Sequence, residues 1–425
     1  MNFEYMEKMK QAISTAHCQN CHKTQLVNNI EKEYIINLRP IPAVDMFMAD
    51  IDSAYRQELY NLSIFKCINC DLVQIVSSPP SSKFYDEYIY TSSSSTDMKK
   101  NFLDLSKTLK IYIDPSLSDQ IKLLDIGCND ALLLSTIKSQ YPNIRLYGTD
   151  PSPVSKHSNP DFFTLHSEYF PGKQTSMNGP YDLIIGTNSL AHIPDIGRCF
   201  REIKRLLTPK GVFVMEVSDL FKMAKIGAWD YIYHEHLYYY TESTLVNILC
   251  QYDLVVTDVQ EIPTKGGSLR LVVRHKSPQY LTVHNSYNGT AGVNPLNSLR
   301  ESYKSTLQLC DSYESKLGNS SRVYGYGACA TASVAMSQHS FFRNLICLID
   351  DNPQRFALYS PHWGVQVKSL SDIVFDGEDI IIVYAWRFIN NIAKNIAKHC
   401  LAKSMPTPRI LNAMHLNDGF YLVNN

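Results

Sequence analysis

Two strand–turn–helix units set the fold this chain can adopt. The first, Ile121–Ile137, reads IKLLDIGCNDALLLSTI, and the second, Arg322–Met336, reads RVYGYGACATASVAM. In each, an apolar run of strand length meets glycine, then gives way to apolar residues at helical spacing. About twenty residues past each turn lies another apolar run that closes on acid. RLYGTDPSP ends its strand at Asp150, and LICLIDDNP ends on Asp350 and Asp351. This is the pattern of a doubly wound parallel sheet, whose ligands sit at the carboxyl edge. Its recurrence calls for two α/β units, and 425 residues leave room for a third, smaller module.

The two turns differ in chemistry. The second places Gly325, Gly327 and Ala330 at GxGxxA spacing, a respectable dinucleotide fingerprint that makes an NAD-dependent oxidoreductase or epimerase the main rival reading. The first, Asp125-x-Gly127-x-Asn129, has one glycine. Gly127 lets the backbone approach a ligand, the new helix offers free N–H groups, and Asp150 can accept from ribose hydroxyls. A single-glycine turn suits a ligand with no pyrophosphate, so S-adenosylmethionine is expected there. The order that follows agrees: YDLIIGTNSLAHIPD gives a strand at Tyr181–Gly186 and a polar loop, then come a helix over Cys199–Leu207, TPKG, and a strand at Val212–Val217. Asn188 and His192 fall at the carboxyl edge of that sheet, the ligand side.

Beyond this strand lies Tyr231–Tyr240, YIYHEHLYYY, with two histidines flanking a glutamate among five tyrosines. So many proton-handling groups in one stretch point to acid–base work. At the other end, Cys18–Cys21 and Cys67–Cys70 form two CxxC pairs. Two such knuckles complete a tetrahedral zinc site with no open position, which predicts a structural metal in a module too small for a core of its own. DLVQIV after Cys70 reads as a strand. FYDEYIYTSSSST follows, with Tyr85, Tyr88 and Tyr90 too many aromatics for a plain linker. It is expected to pack over a ligand, with Tyr90 in contact. Residues 98–118 read as a helix leading into the first unit.

Composition narrows the partners. A net charge of −1 offers no basic field for nucleic acid or anionic lipid. The N-terminus MNFEYMEKMKQ lacks an apolar signal core, and no apolar run approaches a membrane span. Eleven cysteines, seven of them scattered, fit a reducing compartment. A cytoplasmic protein, monomer or dimer, with a small-molecule substrate is expected.

Taken in order, CQNC, CINCDLVQ, YxxYxYxSSSS, LDIGCND, GTDPS, NSLAHIPD, YHEHLYYYT, GGSLR, YGYGACA and IDDNP make the chain resemble the zinc-containing C-methyltransferases of deoxysugar biosynthesis. These act on nucleotide-linked 4-keto-6-deoxy sugars. The resemblance implies an α/β fold of three parts: a zinc-binding module (1–80), a class I methyltransferase Rossmann-like domain (81–260) and a second Rossmann-like domain holding the sugar nucleotide (261–425). It places the catalytic base at His236, with Glu235, Tyr233, His192 and Tyr90 in the same pocket. Asp125, Gly127, Asn129, Asp150, Pro151 and Asn188 would bind S-adenosylmethionine. Gly267, Ser268, Gly325, Gly327, Asp351 and Asn352 would meet the substrate, and Cys18, Cys21, Cys67 and Cys70 the structural zinc. His234 is given no catalytic role.

The implied chemistry is base-assisted enolate formation beside the ketone, then methyl transfer to carbon. An O-methyltransferase, or a binding protein that kept the scaffold, would share most motifs; the intact YHEH argues against the latter. Three departures from the family pattern stand out: Ala131 where glycine is usual, Lys265 where histidine often precedes Gly-Gly-Ser, and Arg387 where asparagine often follows Ala-Trp. PTKGG is expected between strands Leu254–Val259 and Leu269–Val273. A long amphipathic helix is expected over 296–317, with Leu296, Leu299, Tyr303, Leu307, Cys310 and Leu317 on one face, bridging domains.

Overall fold

Three β-sheets organise the computed structural model, which describes residues 17–23, 35–76, 78–79, 84, 90–113, 120–157, 161–280, 294–317 and 322–421. The seven-stranded sheet is ordered Leu254–Ile262, Ser268–His275, Leu207–Ser218, Tyr181–Thr187, Lys122–Ile126, Arg145–Thr149, Thr164–His166. Its last five strands run parallel, and Ser268–His275 enters antiparallel between Leu254–Ile262 and Leu207–Ser218. The parallel strands are apolar in continuous runs because helices cover both faces: Leu123, Leu124, Ile184 and Ile185 are all within 1% of full burial. The expected TPKG turn survives as a bulge. Tyr181 pairs with Leu207 and Leu183 with Val212, so the extra residues swell out of a strand that starts at Leu207.

The hairpin around PTKGG belongs to this sheet. A division at 261 therefore cuts through paired strands, since Ile262 faces Ser268 and Glu261 faces Leu269 across the ladder. The hairpin reads as a local strand pair in sequence; only the long-range pairing with Leu207–Ser218 shows where it sits. The helix expected over 98–118 is shorter: Thr96–Thr108, capped by the Ser95 side chain on the Met98 N–H, then a 3₁₀ turn at Leu109–Ile111. Residues 114–119 lie outside the described residues, as do Tyr85 and Tyr88.

The C-terminal sheet is ordered Val367–Lys368, Leu348–Ile349, Val323–Tyr326, Ile380–Val383, Arg409–Asn412, Phe420–Tyr421, all parallel except the last. The N-terminal sheet has four antiparallel strands: Ile35–Ile41, Tyr60–Lys66, Val73–Ile75 and, from far along the chain, Tyr238–Tyr239. The helix Pro295–Leu317 spans these parts, as its apolar face predicts. Leu296, Leu299, Tyr303 and Cys310 are buried in a core that also takes Ile36 and Leu38 from the N-terminal sheet and Ile380 and Ile382 from the C-terminal one. Trp229, fully buried, packs its ring 5.2 Å from Tyr303 and donates Nε1–H to Thr306. Burial of such a side chain stabilises by about 3 kcal/mol.

Candidate active site

A cavity of about 1370 Å³ opens where the three parts meet. On the sheet side it is lined by the Gly127 turn. Gly127 has φ +77, which a side chain resists, and a Cβ there would meet Ser189 Cβ at 2.6 Å. Asp150 braces the turn: one oxygen accepts the Asn129 N–H at 2.9 Å, the other the Ser152 N–H at 2.8 Å. The Asn129 side chain does something the sequence did not indicate. Its Oδ1 accepts the Ser92 N–H at 2.8 Å and its Nδ2 donates to the Tyr90 carbonyl at 3.0 Å, while Asp130 accepts from Ser93. Asn129 thus clamps the serine-rich segment over the turn, and Tyr90 and Ser92 face the cavity with Pro151 and Asp150.

Two polar atoms at this end are buried without partners among the described residues, Asp125 Oδ1 and Asn188 Nδ2, on neighbouring strand ends. Burial, with the nearby charges of Asp150 and Glu216, pushes the Asp125 carboxyl up to about 8. An unsatisfied acceptor that calls for a cation, beside an unsatisfied donor that calls for an oxygen, fits the amino-acid end of S-adenosylmethionine.

Across the cavity stands the YHEH stretch. His236 Nδ1 lies 3.0 Å from the Tyr231 carbonyl, which can only accept, so Nδ1 carries the proton. Nε2 is then a lone pair, and the Tyr233 hydroxyl donates to it at 3.0 Å. Burial lowers the His236 pKa to about 4, so the ring is a neutral base. His192 crosses it edge-on, ring centres 5.2 Å apart, and burial also holds His192 well below its ordinary value. Glu235 lines the same space, its carboxyl pushed to about 8 by burial and by Asp45. His234 turns away. It is 1% exposed and bonds the Asn61 carbonyl of the N-terminal sheet at 2.9 Å.

The C-terminal unit supplies the third wall, through Asp351, Asn352, Arg355 and Arg387. Its turn repeats the first one's bracing: Asp350 accepts N–H groups from Ala328 at 2.7 Å and Asn352 at 2.8 Å. The expected substrate contacts divide here. Asp351 and Asn352 reach the cavity; Gly325, Gly327, Gly267 and Ser268 are absent from its lining. A Cβ on Gly325 would strike Leu348 and Tyr384 side chains, and one on Gly327 the Ala385 backbone, so both glycines serve close packing. Gly267 packs on Lys222, and the Ser268 hydroxyl donates to the Thr264 carbonyl. Sequence reasoning missed Asp45, Arg355, Lys265 and Arg387 as cavity residues. Only the last two carried a signal, as departures from a pattern.

The four cysteines converge as their spacing predicts. Cys18 and Cys70 Sγ are 3.4 Å apart, Cys21 and Cys67 Sγ 3.7 Å, and all four lie within 4.8 Å of one another. Tetrahedral Zn–S bonds of about 2.3 Å set sulfurs roughly 3.8 Å apart, so the donor set and its size fit zinc.

Comparison with known proteins defines the class. Residues 95–259 match the model of a methyltransferase domain, and residues 263–404 that of a C-methyltransferase C-terminal domain. The two matches lie end to end, and each covers less than half of the chain. Among individual proteins it is similar to C-methyltransferase NovU from Streptomyces niveus, 24% identical over 241 residues, 55% of this chain and 56% of that protein. The aligned part thus spans little more than half of that relative's length. Solved structures overlap less. The plantazolicin methyltransferase BpumL, in complex with a monoazolic desmethylPZN analog and SAH, aligns over 44% of this chain and 88% of its own at 15% identity and a TM-score of 0.36. Human N-acetylserotonin methyltransferase, in complex with SAM, aligns over 43% and 57% at 16% identity and 0.32. At those scores nothing about ligands passes from them to this chain. Among the described residues no helix is long and apolar enough to cross a membrane.

Proposed function

We propose that this protein is an S-adenosylmethionine-dependent C-methyltransferase acting on a nucleotide-linked 4-keto-6-deoxy sugar. One observation carries the reading: the neutral, tautomer-fixed His236 and the single-glycine turn line the same cavity. Asp125 and Asn188 would hold the amino-acid end of the donor, and Asp150 its ribose. Bound there, S-adenosylmethionine supplies a methyl group already activated by its positive sulfur. With the Tyr233 hydroxyl turned off Nε2 onto the sugar, His236 Nε2 takes the proton from the carbon beside the ketone, and the Tyr231 carbonyl steadies the Nδ1–H as charge grows on the ring. Tyr233 and Glu235 orient the base and the sugar, and Tyr90 covers the pocket. Arg355 and Arg387 on the third wall are suited to a pyrophosphate. Zinc in the cysteine cluster holds the N-terminal module and takes no part in the reaction.

The test combines methyl-labelled S-adenosylmethionine with dTDP-, CDP- and GDP-linked 4-keto-6-deoxyhexoses. Transfer to carbon of at least one is expected. His236→Ala should abolish both transfer and solvent deuterium exchange at the reacting carbon while leaving donor binding intact. No transfer to any sugar, together with tight NAD binding, would overturn the reading.

A further inference from the structure

We infer that Lys265 is a catalytic residue whose ammonium donates a hydrogen bond to the ketone oxygen of the substrate as that oxygen becomes an enolate. The inference rests on the C-methylation reading above and adds to it the group that stabilises the developing charge.

The need for such a group follows from the site. When His236 Nε2 takes the proton, the C–H pair becomes the C=C bond and the ketone π pair moves onto oxygen. An ion pair forms in a desolvated cavity, and the oxyanion requires a donor already in place. The cavity's other donors have places elsewhere in this reading: Asn188 Nδ2 faces the amino-acid end of the methyl donor, and Arg355 and Arg387 stand on the pyrophosphate wall. The Tyr233 hydroxyl points to His236 Nε2. Arg355 lies 3.5 Å from Asp45 and 3.8 Å from Asp350. Arg387 sits over the Tyr231 and Phe388 rings. Lys265 lines the cavity with His192, Glu235 and His236, and among the described residues no carboxylate comes within 4.0 Å of its ammonium. Its recorded close contact is the face of Tyr90, 5.5 Å from the ring centre.

Its backbone shows that this placement is imposed. Lys265 has φ +52 and ψ +34, inside a run that continues with Gly266 at φ +85 and Gly267 at φ +123. A long side chain in left-handed backbone persists only where the surroundings over-determine it, and such strain gathers at functional sites. Here the hairpin tip is pinned: Gly267 lies against Lys222, Gly266 faces Ile226 and Tyr231, Thr264 is buried, and Lys222 pairs with Glu261 at 2.6 Å. The backbone of the tip is held, and the Lys265 side chain lies on the cavity side.

The charges around the ammonium suit an adjustable donor. Burial, then Arg387, lowers its pKa to about 8, while Glu235 and Asp45 act to raise it. His192, His236 and Tyr90 also face it, with Tyr231 and Tyr233 in the same cavity lining. The ammonium form holds below about pH 8, and a donor of that acidity gives a stronger hydrogen bond to an enolate than an unshifted lysine would.

The experiment uses the full chain, S-adenosylmethionine, and whichever dTDP-, CDP- or GDP-linked 4-keto-6-deoxyhexose the wild type methylates. Lys265→Met should slow deuterium exchange and methyl transfer together, by about 10²–10³-fold as for loss of an oxyanion donor. KM for the sugar and calorimetric affinity for S-adenosylmethionine should stay within a few fold. Lys265→Arg should recover part of the rate and shift the alkaline limb of the exchange profile upward from about pH 8. Lys265→Gln, which keeps a neutral donor, gives the same reading should the methionine variant fold poorly. Exchange at the wild-type rate in Lys265→Met or Lys265→Gln, or a loss confined to KM, would remove Lys265 from the chemistry while leaving C-methylation standing. Absence of exchange in the wild type with every sugar would sink both.

Discussion

Replacing Glu216 by glutamine probes the joint beneath the donor pocket. Glu216 is fully buried, and Arg270 is 1% exposed. Glu216 accepts from Arg270 Nε at 2.6 Å and from Asn101 Nδ2 at 2.7 Å; Asn101 Oδ1 accepts from Arg270 Nη2 at 3.0 Å, closing a ring. Glutamine matches the shape but must turn an NH2 group toward one of two donors, and it leaves the guanidinium without its buried counter-charge. Breaking a buried pair from one side costs about 3–5 kcal/mol. Asp104 stays 3.1 Å from Arg270, but at 68% exposure it offsets less than about 1 kcal/mol, so a loss of roughly 3 kcal/mol is expected. For a domain of this size that lowers Tm by about 6–12 °C. The loss should extend to the donor site, because Asn101 lies on the helix whose entry segment is clamped by Asn129 and Asp130, and the Glu216 carbonyl holds the Asn188 N–H at 2.8 Å. Differential scanning calorimetry and titration with S-adenosylmethionine read the two effects. A Tm drop under about 2 °C, or a Glu216→Met/Arg270→Met double variant no more stable than the single, would refute the reasoning.

Tyr233→Phe removes the hydroxyl from His236 Nε2; exchange at the reacting carbon should fall about 10–100-fold, and an unchanged rate would detach Tyr233 from the base. His234, held near pKa 4 by burial against an unfolded value of about 6.5, binds fewer protons folded than unfolded. Its contribution is therefore complete above pH 6.5 and lost as pH falls toward 4, about 1.4 kcal/mol by pH 5.5. Urea titrations of wild type and His234→Gln should diverge in that window and nowhere above it. Cys67→Ser should lose bound zinc by elemental analysis and lower the melting temperature; a metal-free wild type of full stability would contradict the cluster's role. Gly127→Ala forces a Cβ to 2.6 Å from Ser189 at φ +77, so affinity for S-adenosylmethionine should drop at least tenfold by calorimetry.

The sequence made the local units legible and left their meetings obscure. Strand, glycine turn, helix and acidic strand end are set within about thirty residues by periodicity and φ preference, so Gly127, Asp150, Gly327 and Asp350 could be placed on turns beforehand. The CxxC knuckles were equally local, and two of them can close only on each other. What a glycine is for is a long-range question: Gly325 and Gly267 read as ligand contacts and proved to be packing positions, because Tyr384 and Lys222 approach from elsewhere in the chain. Asn129, expected as a donor ligand, lines the cavity, and its side chain also holds Ser92 and Tyr90, which no local signal foretold. Asp45 sits in a turn and Arg355 ends the short 3₁₀ helix Pro353–Arg355, neither with a periodic signal. They meet at 3.5 Å only because the N-terminal and C-terminal units share one wall of the cavity.

Tyr238 and Tyr239 pair with Gln74 and Val73, so the outer strand of the N-terminal sheet begins two residues after His236. This makes the module that carries the four-cysteine cluster a jig rather than an appendage. In a strand a slip of one residue exchanges the two faces, and here it would also drag His236, the proposed base, out of its alignment with the Tyr231 carbonyl. Exchanging N-terminal modules between relatives therefore risks the reaction itself, and a fragment begun at the methyltransferase domain would present Tyr238–Tyr239 as an unpaired, apolar edge. The C-terminal unit reaches the cavity through loops at Asp351–Arg355 and Trp386–Phe388 and gives no strand to the catalytic stretch. Changes of substrate range have their freest ground there.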